Sequence, residues 1–261
     1  MEWIVEISPE FSDGQRVADY LKTQGKIVHE MTDRPSTLVW PRALETSIGY
    51  GSVNFCLRMS RQPAICEGIF DWYIGLRCST YYNQVYDMLG RNAVFLPYGA
   101  LEHVNYATMF PGHKKLFVRP DASIKEFDGK IFSVEDLKRA NELPEFSRNR
   151  DGLVVVSEVV RMGKEYRVFC RGGEAICSSS YQIPPDPDVA FVPAPQDVVL
   201  YAEEASRRLL DSGNILAIDV ADDHGVLRLV EINGVNSAGL YGCNIGKFVD
   251  AMEAEALERM A

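Results

Sequence analysis

Asn214–Tyr241 reads NILAIDVADDHGVLRLVEINGVNSAGLY. Two apolar runs, Ile215–Val220 and Val226–Ile232, flank the turn-forming cluster ADDHG, a pattern that predicts a β-hairpin with a loop of about four residues. Side chains alternate along a strand, so Ile215, Ala217 and Asp219 are expected on one face of the first strand. Leu227, Leu229, Glu231 and Asn233 are expected on one face of the second. Each strand therefore carries an acid where a core residue belongs, and a buried carboxylate is costly unless paired or bound to a cation. Two acids and an amide across one hairpin supply oxygen ligands of the kind that Mg²⁺ takes, alongside phosphates and water. Two plainer arrangements also fit: a solvent-facing pair of acids, or an ion pair from each acid to a basic residue.

The 261 residues suffice for one large or two to three small domains, and 46% hydrophobic with 25% charged residues is ordinary for a soluble globular chain. A net charge of −10 argues against a protein that simply coats nucleic acid. MEWIVEISPEF lacks a basic start and a long apolar run, and no stretch of about 20 apolar residues is present, so a cytoplasmic protein without membrane contact is expected. The six cysteines, Cys56, Cys66, Cys78, Cys170, Cys177 and Cys243, form no CxxC pair and are expected as core residues or free thiols. The four histidines show no metal-ligand spacing.

Along the chain, Trp3–Ile7 predicts a strand, Asp13–Gln24 a helix opened by a Ser12/Gln15 capping box and stopped by Gly25, and Lys26–Glu30 a second strand. This β-α-β opening predicts a small α/β domain. Gly51–Met59 reads as a strand, with Phe55 and Leu57 on one face, and the aromatic stretch Phe70–Tyr73 reads as packing. A helix over Ser79–Leu89 ends at Gly90. Strands follow over Asn92–Leu96, Leu116–Arg119 and Lys130–Phe132, then a short helix capped by Ser133 and a strand over Leu153–Val160. Glu165–Cys170 and Glu174–Ser179 predict a hairpin around Arg171-Gly172-Gly173. The loop Pro184–Pro195 holds five prolines. A helix over Val198–Leu210, with Val198, Ala202, Ala205 and Leu209 inward and Gly213 as its stop, precedes the opening hairpin, and a helix over Gly246–Met260 closes the chain.

Four clusters carry chemistry. Arg119, at a strand end, and Lys125, in the loop after it, are two cations able to neutralise a polyphosphate, although no Walker A sequence is present; the alternative is a pair of solvated surface cations. Glu158 and Val159 lie where a strand exits into a loop, leaving backbone groups free to meet an adenine edge; the alternative is an exposed strand end. Glu165 and Arg167 share a strand face, and Arg167 either forms a salt bridge or offers its planar fork to a phosphate. Asp219, Glu231 and Asn233 are the fourth cluster.

The order of these clusters, with FVRPDASIKEFDG at one end and VEINGVNSAGLY at the other, resembles the ATP-grasp superfamily and within it the R-two-K clade of predicted amide ligases. The likeness covers about Phe95–Tyr241. It implies an ATP-grasp fold of mixed α+β and α/β character, with a small N-terminal α/β domain over residues 1–90, a central subdomain over 91–157 with a phosphate loop, and a C-terminal subdomain over 158–261 with the metal site. The nucleotide would lie between the two α+β subdomains. The resemblance further implies that Arg119 and Lys125 bind phosphate, Glu158 and Val159 lie at the adenine hinge, and Glu165 lies near the ribose or the metal-bound nucleotide. Arg167 would steady the γ-phosphate and the acyl phosphate made from it, and Asp219, Glu231 and Asn233 would hold Mg²⁺. Lys125 and Arg167 are the implied catalytic pair, and ATP and Mg²⁺ the cofactors. One departure from the superfamily is that Ser79–Leu89 contains no lysine, with Arg77 the nearest substitute.

An ATP-dependent carboxylate–amine ligase is the expected function, acting on small-molecule or peptide carboxylates and amines, with no nucleic acid or membrane partner. A phosphotransferase with a non-carboxylate acceptor and a non-catalytic nucleotide-binding module are the alternatives. Asn236, Ser237, Tyr241 and Tyr181 are polar candidates for the acceptor pocket, or else brace the loop after the metal strand.

Overall fold

The computed structural model describes residues 1–32, 47–61, 68–70, 76–122, 127–146, 152–181, 190–210 and 214–260. The chain divides into two compact units, Met1–Trp72 with Gly163–Ala261, and Tyr73–Met162.

The first unit begins as the alternation of apolar runs predicts. Strand β1 (Glu2–Glu6), helix α1 (Asp13–Thr23) and strand β2 (Ile27–Met31) form a parallel crossover, and β3 (Ser47–Tyr50) pairs with the other side of β1 in the order β2-β1-β3. Gly25, at φ +68°, ends α1 as expected. The Ser12/Gln15 capping box does not form: the Ser12 side chain makes no cap bond, and Gln15 donates to Asp19 one turn on. The strand expected over Gly51–Met59 is instead helix α2 (Val53–Met59), capped by the Ser52 hydroxyl, which accepts from the Phe55 amide. Phe55, Cys56 and Met59 are its buried residues, a spacing of helical period that the Phe55/Leu57 alternation concealed.

A four-stranded antiparallel sheet completes this unit. Its strands are β8 (Lys164–Arg171), β9 (Glu174–Tyr181), β10 (Ile215–Asp223) and β11 (Val226–Gly234), in the order β11-β10-β8-β9. The β10–β11 loop is shorter than expected. Only His224 and Gly225 turn it, at φ +54° and +88°, the left-handed pair that a two-residue hairpin requires. A register shift between Asp219 and Val220 places Asp219 opposite Glu231 but Val220 opposite Leu229. The extra residue in β11 therefore moves Leu227 and Leu229 to the face opposite Glu231 and Asn233, which corrects the shared face expected from simple alternation. Helix α6 (Gln196–Arg208) packs on the sheet through Val198, Ala202 and Ala205, with Leu209 buried just beyond it. Gly213 and most of the proline loop, residues 184–189, lie outside the described residues.

The other face of this sheet shares a core with the N-terminal sheet and with α7 (Ile245–Met260). Trp3, Val5, Tyr50, Phe169 and Phe248 are fully buried there, and the Phe248 ring lies 5.1 Å from Phe169 and 5.5 Å from Tyr50. Phe70 joins this core, as its reading as packing predicts, whereas 71–73 lie outside the described residues.

The second unit is built on a four-stranded antiparallel sheet of β4 (Ala93–Pro97), β5 (Lys115–Pro120), β6 (Lys130–Ser133) and β7 (Leu153–Glu158), ordered β4-β7-β5-β6. Helix α3 (Cys78–Val85) precedes the sheet, and α4 (Tyr106–Met109) lies in the loop of His103 and His113. Helix α5 (Val134–Leu137) follows a complete Ser133/Asp136 capping box. β7 stops two residues short of the expected Val160. Its core gathers Tyr98, Leu101, Phe110, Leu116, Val118, Phe146 and Val156.

Among the described residues no helix is long and apolar enough to cross a membrane. Helix α1 lies so close to β1 that a Cβ on Gly14 would stand 1.9 Å from the Glu6 carbonyl oxygen. Backbone cannot yield as a side chain can, so Gly14→Ala is expected to destabilise the fold by about 1–3 kcal/mol, as overpacking does. Chemical denaturation measures this, and an unchanged midpoint would refute the close approach.

Candidate active site

One end of the β8–β11 sheet is polar on the face that is apolar further along. Register explains how. Asp219 on β10 stands opposite Arg167 on β8 and opposite Glu231 on β11, and Ala217 stands opposite Asn233. Ser179 is opposite Arg167, and Tyr181 opposite Glu165, on β9. The four residues singled out from the two sequence motifs, Arg167, Asp219, Glu231 and Asn233, thus meet on one surface.

At its centre is a buried ion pair. Arg167 Nε and Nη2 donate to the two Asp219 oxygens at 2.8 and 2.7 Å, with side-chain exposures of 8% and 0%. Nη1 donates to the Gly239 carbonyl at 3.2 Å. The guanidinium also lies 5.5 Å from the Tyr181 ring centre and 5.2 Å from that of Tyr241, which stack on each other 5.0 Å apart and 10° from parallel. Burial works against the guanidinium's charge, but the Asp219 carboxylate outweighs it and holds the Arg167 pKa well above its usual value. Asn233 Nδ2 donates to Glu231 at 2.9 Å and to Asp219 at 3.3 Å, so two carboxylates and one amide converge. Glu165 accepts from the Tyr181 hydroxyl at 2.6 Å. Burial, then the nearby Asp219 and Glu165 carboxylates, pushes that hydroxyl's pKa up.

The loop that follows β11 is fixed from the N-terminal strands. Asn236 is fully buried; its Nδ2 donates to the carbonyls of Gly49 and Gly68, and its Oδ1 accepts from the Phe70 amide. It therefore braces the loop. Asp13 accepts from the Leu240 amide at 2.7 Å, and Tyr50 donates to the Ala238 carbonyl at 2.9 Å. Tyr241 is held at φ +51°, a region that costs a bulky residue roughly 1–3 kcal/mol.

In the second unit a cavity of about 540 Å³ is lined by Arg91, Phe117, Lys130, Val159, Val160 and Met162 among others. The β7 ladder ends at Glu158, so Val159 and Val160 reach the cavity wall outside the sheet. Arg91 is 7% exposed, sits 5.4 Å from the Phe117 ring centre, and has an Nε with no hydrogen-bond partner among the described residues. Lys130 pairs with Glu145 at 2.7 Å. Arg119, half-buried on β5, flanks this wall: a Cβ on Gly129 would lie 2.5 Å from the Phe117 ring and 3.3 Å from Arg119 Cβ.

Of the two residues expected at an adenine hinge, Val159 is the one that lines the cavity. The Glu158 carboxylate turns instead to Asn92, accepting from its amide at 3.0 Å and its Nδ2 at 2.8 Å, with His113 Nε2 at 3.6 Å. Lys125 lies outside the described residues. Arg77 is exposed at the start of α3 and is not among the cavity-lining residues. Sequence reading passed over Arg91 and Lys130. The available signal for Arg91 was a cation immediately before a strand, directly after the Gly90 stop.

Two outcomes follow from the geometry. Arg167→Met leaves the fully buried Asp219 carboxylate without its counter-charge, so it should destabilise the protein by about 3–5 kcal/mol in denaturant titrations; a loss near zero would mean that Asp219 reaches water. The Asn92 backbone and side-chain bonds hold the Glu158 carboxyl pKa low. A lowered pKa stabilises the fold above the unfolded value, roughly 4.3, and this contribution fades as pH falls through the folded one. The melting-temperature gap between wild type and Glu158→Gln should therefore narrow from pH 7 to pH 3, and a gap independent of pH would contradict the assignment.

Solved structures with the same architecture include ligases and a synthetase. A D-cycloserine synthetase, DcsG, superposes with a TM-score of 0.68 at 14% identity, covering 100% of both chains. The D-alanine–D-alanine ligase of Bacillus anthracis, complexed with ATP, gives 0.62 at 12% identity, covering 99% of this chain and 97% of the other. The ATP-grasp ligase PsnB, complexed with a minimal precursor, Mg and ADP, gives 0.57 at 14% identity and 97% coverage of both. These likenesses establish the ATP-grasp fold. No curated protein matches the chain in sequence. The sequence does match the ATP-grasp domain of the R-two-K clade, family 2, over residues 89–251, more than half of its length, and the chain belongs to that family.

Proposed function

We propose that this protein is an ATP-dependent ligase that joins a carboxylate to an amine through an acyl phosphate. The observation that carries the proposal is the convergence of Asp219, Glu231 and Asn233 beside the Arg167 guanidinium. That donor set fits Mg²⁺: two carboxylates, with an amide whose oxygen reaches the same point after a half-turn of its plane. Asp219, Glu231 and Asn233 would hold the ion, which supplies charge neutralisation at the phosphates.

In the first step a substrate carboxylate oxygen attacks the γ-phosphorus, the bond to the β–γ bridging oxygen breaks, and ADP leaves. In the second step an amine nitrogen attacks the acyl carbon and loses a proton, and phosphate departs with the C–O bond electrons. Arg167 steadies the γ-phosphate and then the acyl phosphate, for which it must give up part of its hold on Asp219. Positioning and charge carry most of the first step.

The nucleotide's adenine edge meets the Val159 backbone, and its phosphates meet Arg119, Lys125 and the poorly paired Arg91. Glu158 supports the hinge through Asn92, and Glu165 is assigned to the ribose. Residues 91–157 and 158–261 serve as the two ATP-grasp subdomains after an N-terminal segment of 1–90; each of the two carries one four-stranded antiparallel sheet, in support. The likeness to PsnB and to D-alanine–D-alanine ligase supports small-molecule or peptide substrates, and the protein is proposed to act in the cytoplasm.

Millimolar Mg·ATP should raise the melting temperature of the wild type. Glu231→Gln keeps the side-chain shape and an oxygen that accepts from Asn233, so it should fold normally, retain nucleotide and lose most Mg²⁺-dependent ADP release. A variant with near-normal ADP release per folded molecule would reject the metal-ligand role. A stable phosphorylated product in place of an amide would favour a phosphotransferase.

A further inference from the structure

Arg16 lies on the first turn of α1, outside every motif of the nucleotide and metal sites. Its Nη1 donates to Asp13 and, at 2.9 Å, to the carbonyl of Tyr241. Both contacts use one nitrogen. Among the described residues Nε and Nη2 have no partner, and the side chain is 44% exposed. The result is a guanidinium anchored at one corner with the rest of its fork presented outward, the arrangement that binds a carboxylate through parallel hydrogen bonds.

The anchor itself is built with care. Asp13, 8% exposed, also accepts from the Leu240 amide, so α1, Arg16 and the loop ending at Tyr241 are fixed together. Among the described residues Tyr241 is one of two other than glycine at positive φ, and a side chain held there signals a placement the surroundings enforce. Its ring stacks on Tyr181 and has Phe191, itself half-exposed, 5.9 Å away and tilted by 47°. A Cβ on Gly239 would lie 3.5 Å from Asp13 Oδ2, 3.6 Å from Tyr241 Cζ and 3.8 Å from Arg167 Nη1. The Arg16 anchor, the aromatic shelf and the buried Arg167–Asp219 pair therefore adjoin within one unit.

We propose that Arg16 and the Tyr241–Phe191 shelf form a substrate subsite for a non-reacting carboxylate attached to an aromatic or apolar group. This rests on the ligase reading for its purpose, because the reacting carboxylate belongs beside Arg167. A carboxylate clamped by Arg16 is neutralised and held in place while the chemistry proceeds next door. The shelf supplies an apolar surface against which a flat or branched group packs without a polar group left unpaired.

The test uses 3-phenylpropionate and its uncharged partner 3-phenylpropionamide, titrated into the protein by calorimetry and ligand-observed NMR. The acid should bind more tightly than the amide by roughly tenfold to a hundredfold, the worth of a charge-assisted hydrogen bond. Arg16→Met should abolish that preference while leaving amide affinity in place, and Arg16→Lys, which keeps charge but loses the fork, should retain part of it. Equal binding of acid and amide, no binding of the acid, or a preference that survives Arg16→Met would each overturn the proposal. If Arg16 only braces the loop, acid and amide affinities fall together in the variant, which also overturns it. The melting shift with Mg·ATP, measured on the same samples, reads the ligase proposal separately.

Discussion

A carboxylate with no exposure to water and a guanidinium almost as deeply buried stand on adjacent strands, and neither is tolerable alone. The β8–β10 register sets Arg167 opposite Asp219, and both bonds of the fork close only when it holds, while the β10–β11 register brings Glu231 to the same acid. Pairing in a medium of low dielectric is worth much, but removing both groups from water costs a similar amount, so the pair contributes little net stability. Its effect is on specificity. A one-residue slip of either strand would bury an unpaired charge, and the polar end of the sheet is thereby held in register.

The same face changes character along its length, and that change joins the two halves of the first unit. At one end Phe169, Ile215 and Ala217 pack with Trp3, Val5 and Phe248; at the other Arg167, Asp219, Glu231 and Asn233 gather. The loop after β11 is held by its own Asn236, which donates to the Gly49 carbonyl, and by Asp13 and Tyr50 from the N-terminal helix and strands. The N-terminal segment thus shapes the loop beside the polar site as well as burying its own core. Those bonds, with the Arg16 bond to its carbonyl, help to hold Tyr241 at a positive φ.

The second unit solves a different problem. Its strand β7 ends at Glu158, and the segment beyond it borders a cavity into which a nearly buried arginine brings charge, with its Nε unpaired among the described residues. Such a donor is costly unless an acceptor completes it. Glu158 does not supply one, because its carboxylate is occupied by Asn92.

Much of this architecture could be read from the chain alone, because alternation, helical period and the turn glycines act over a few residues. The β-α-β opening, both hairpins, the amphipathic helix of Val198, Ala202 and Ala205, and the metal-type triad are all local patterns. So is the order of motifs by which the chain resembles the ATP-grasp family. The sequence misled where two periods overlap, as in Val53–Met59, whose short apolar run fits strand and helix alike until Ser52 is seen to cap it. The bulge beside Asp219 was hidden because an extra residue leaves no compositional trace and reveals itself only against the opposing strand. Arg16 and Arg91 lie outside every quoted motif, and Arg16 and Asn236 take their roles from contacts 225 and 187 residues away in the chain. Burial, partner and register are properties of those long-range contacts, so only the tertiary structure decided that Arg167 faces Asp219, that Asn236 braces a loop, and that Arg16 presents an open fork.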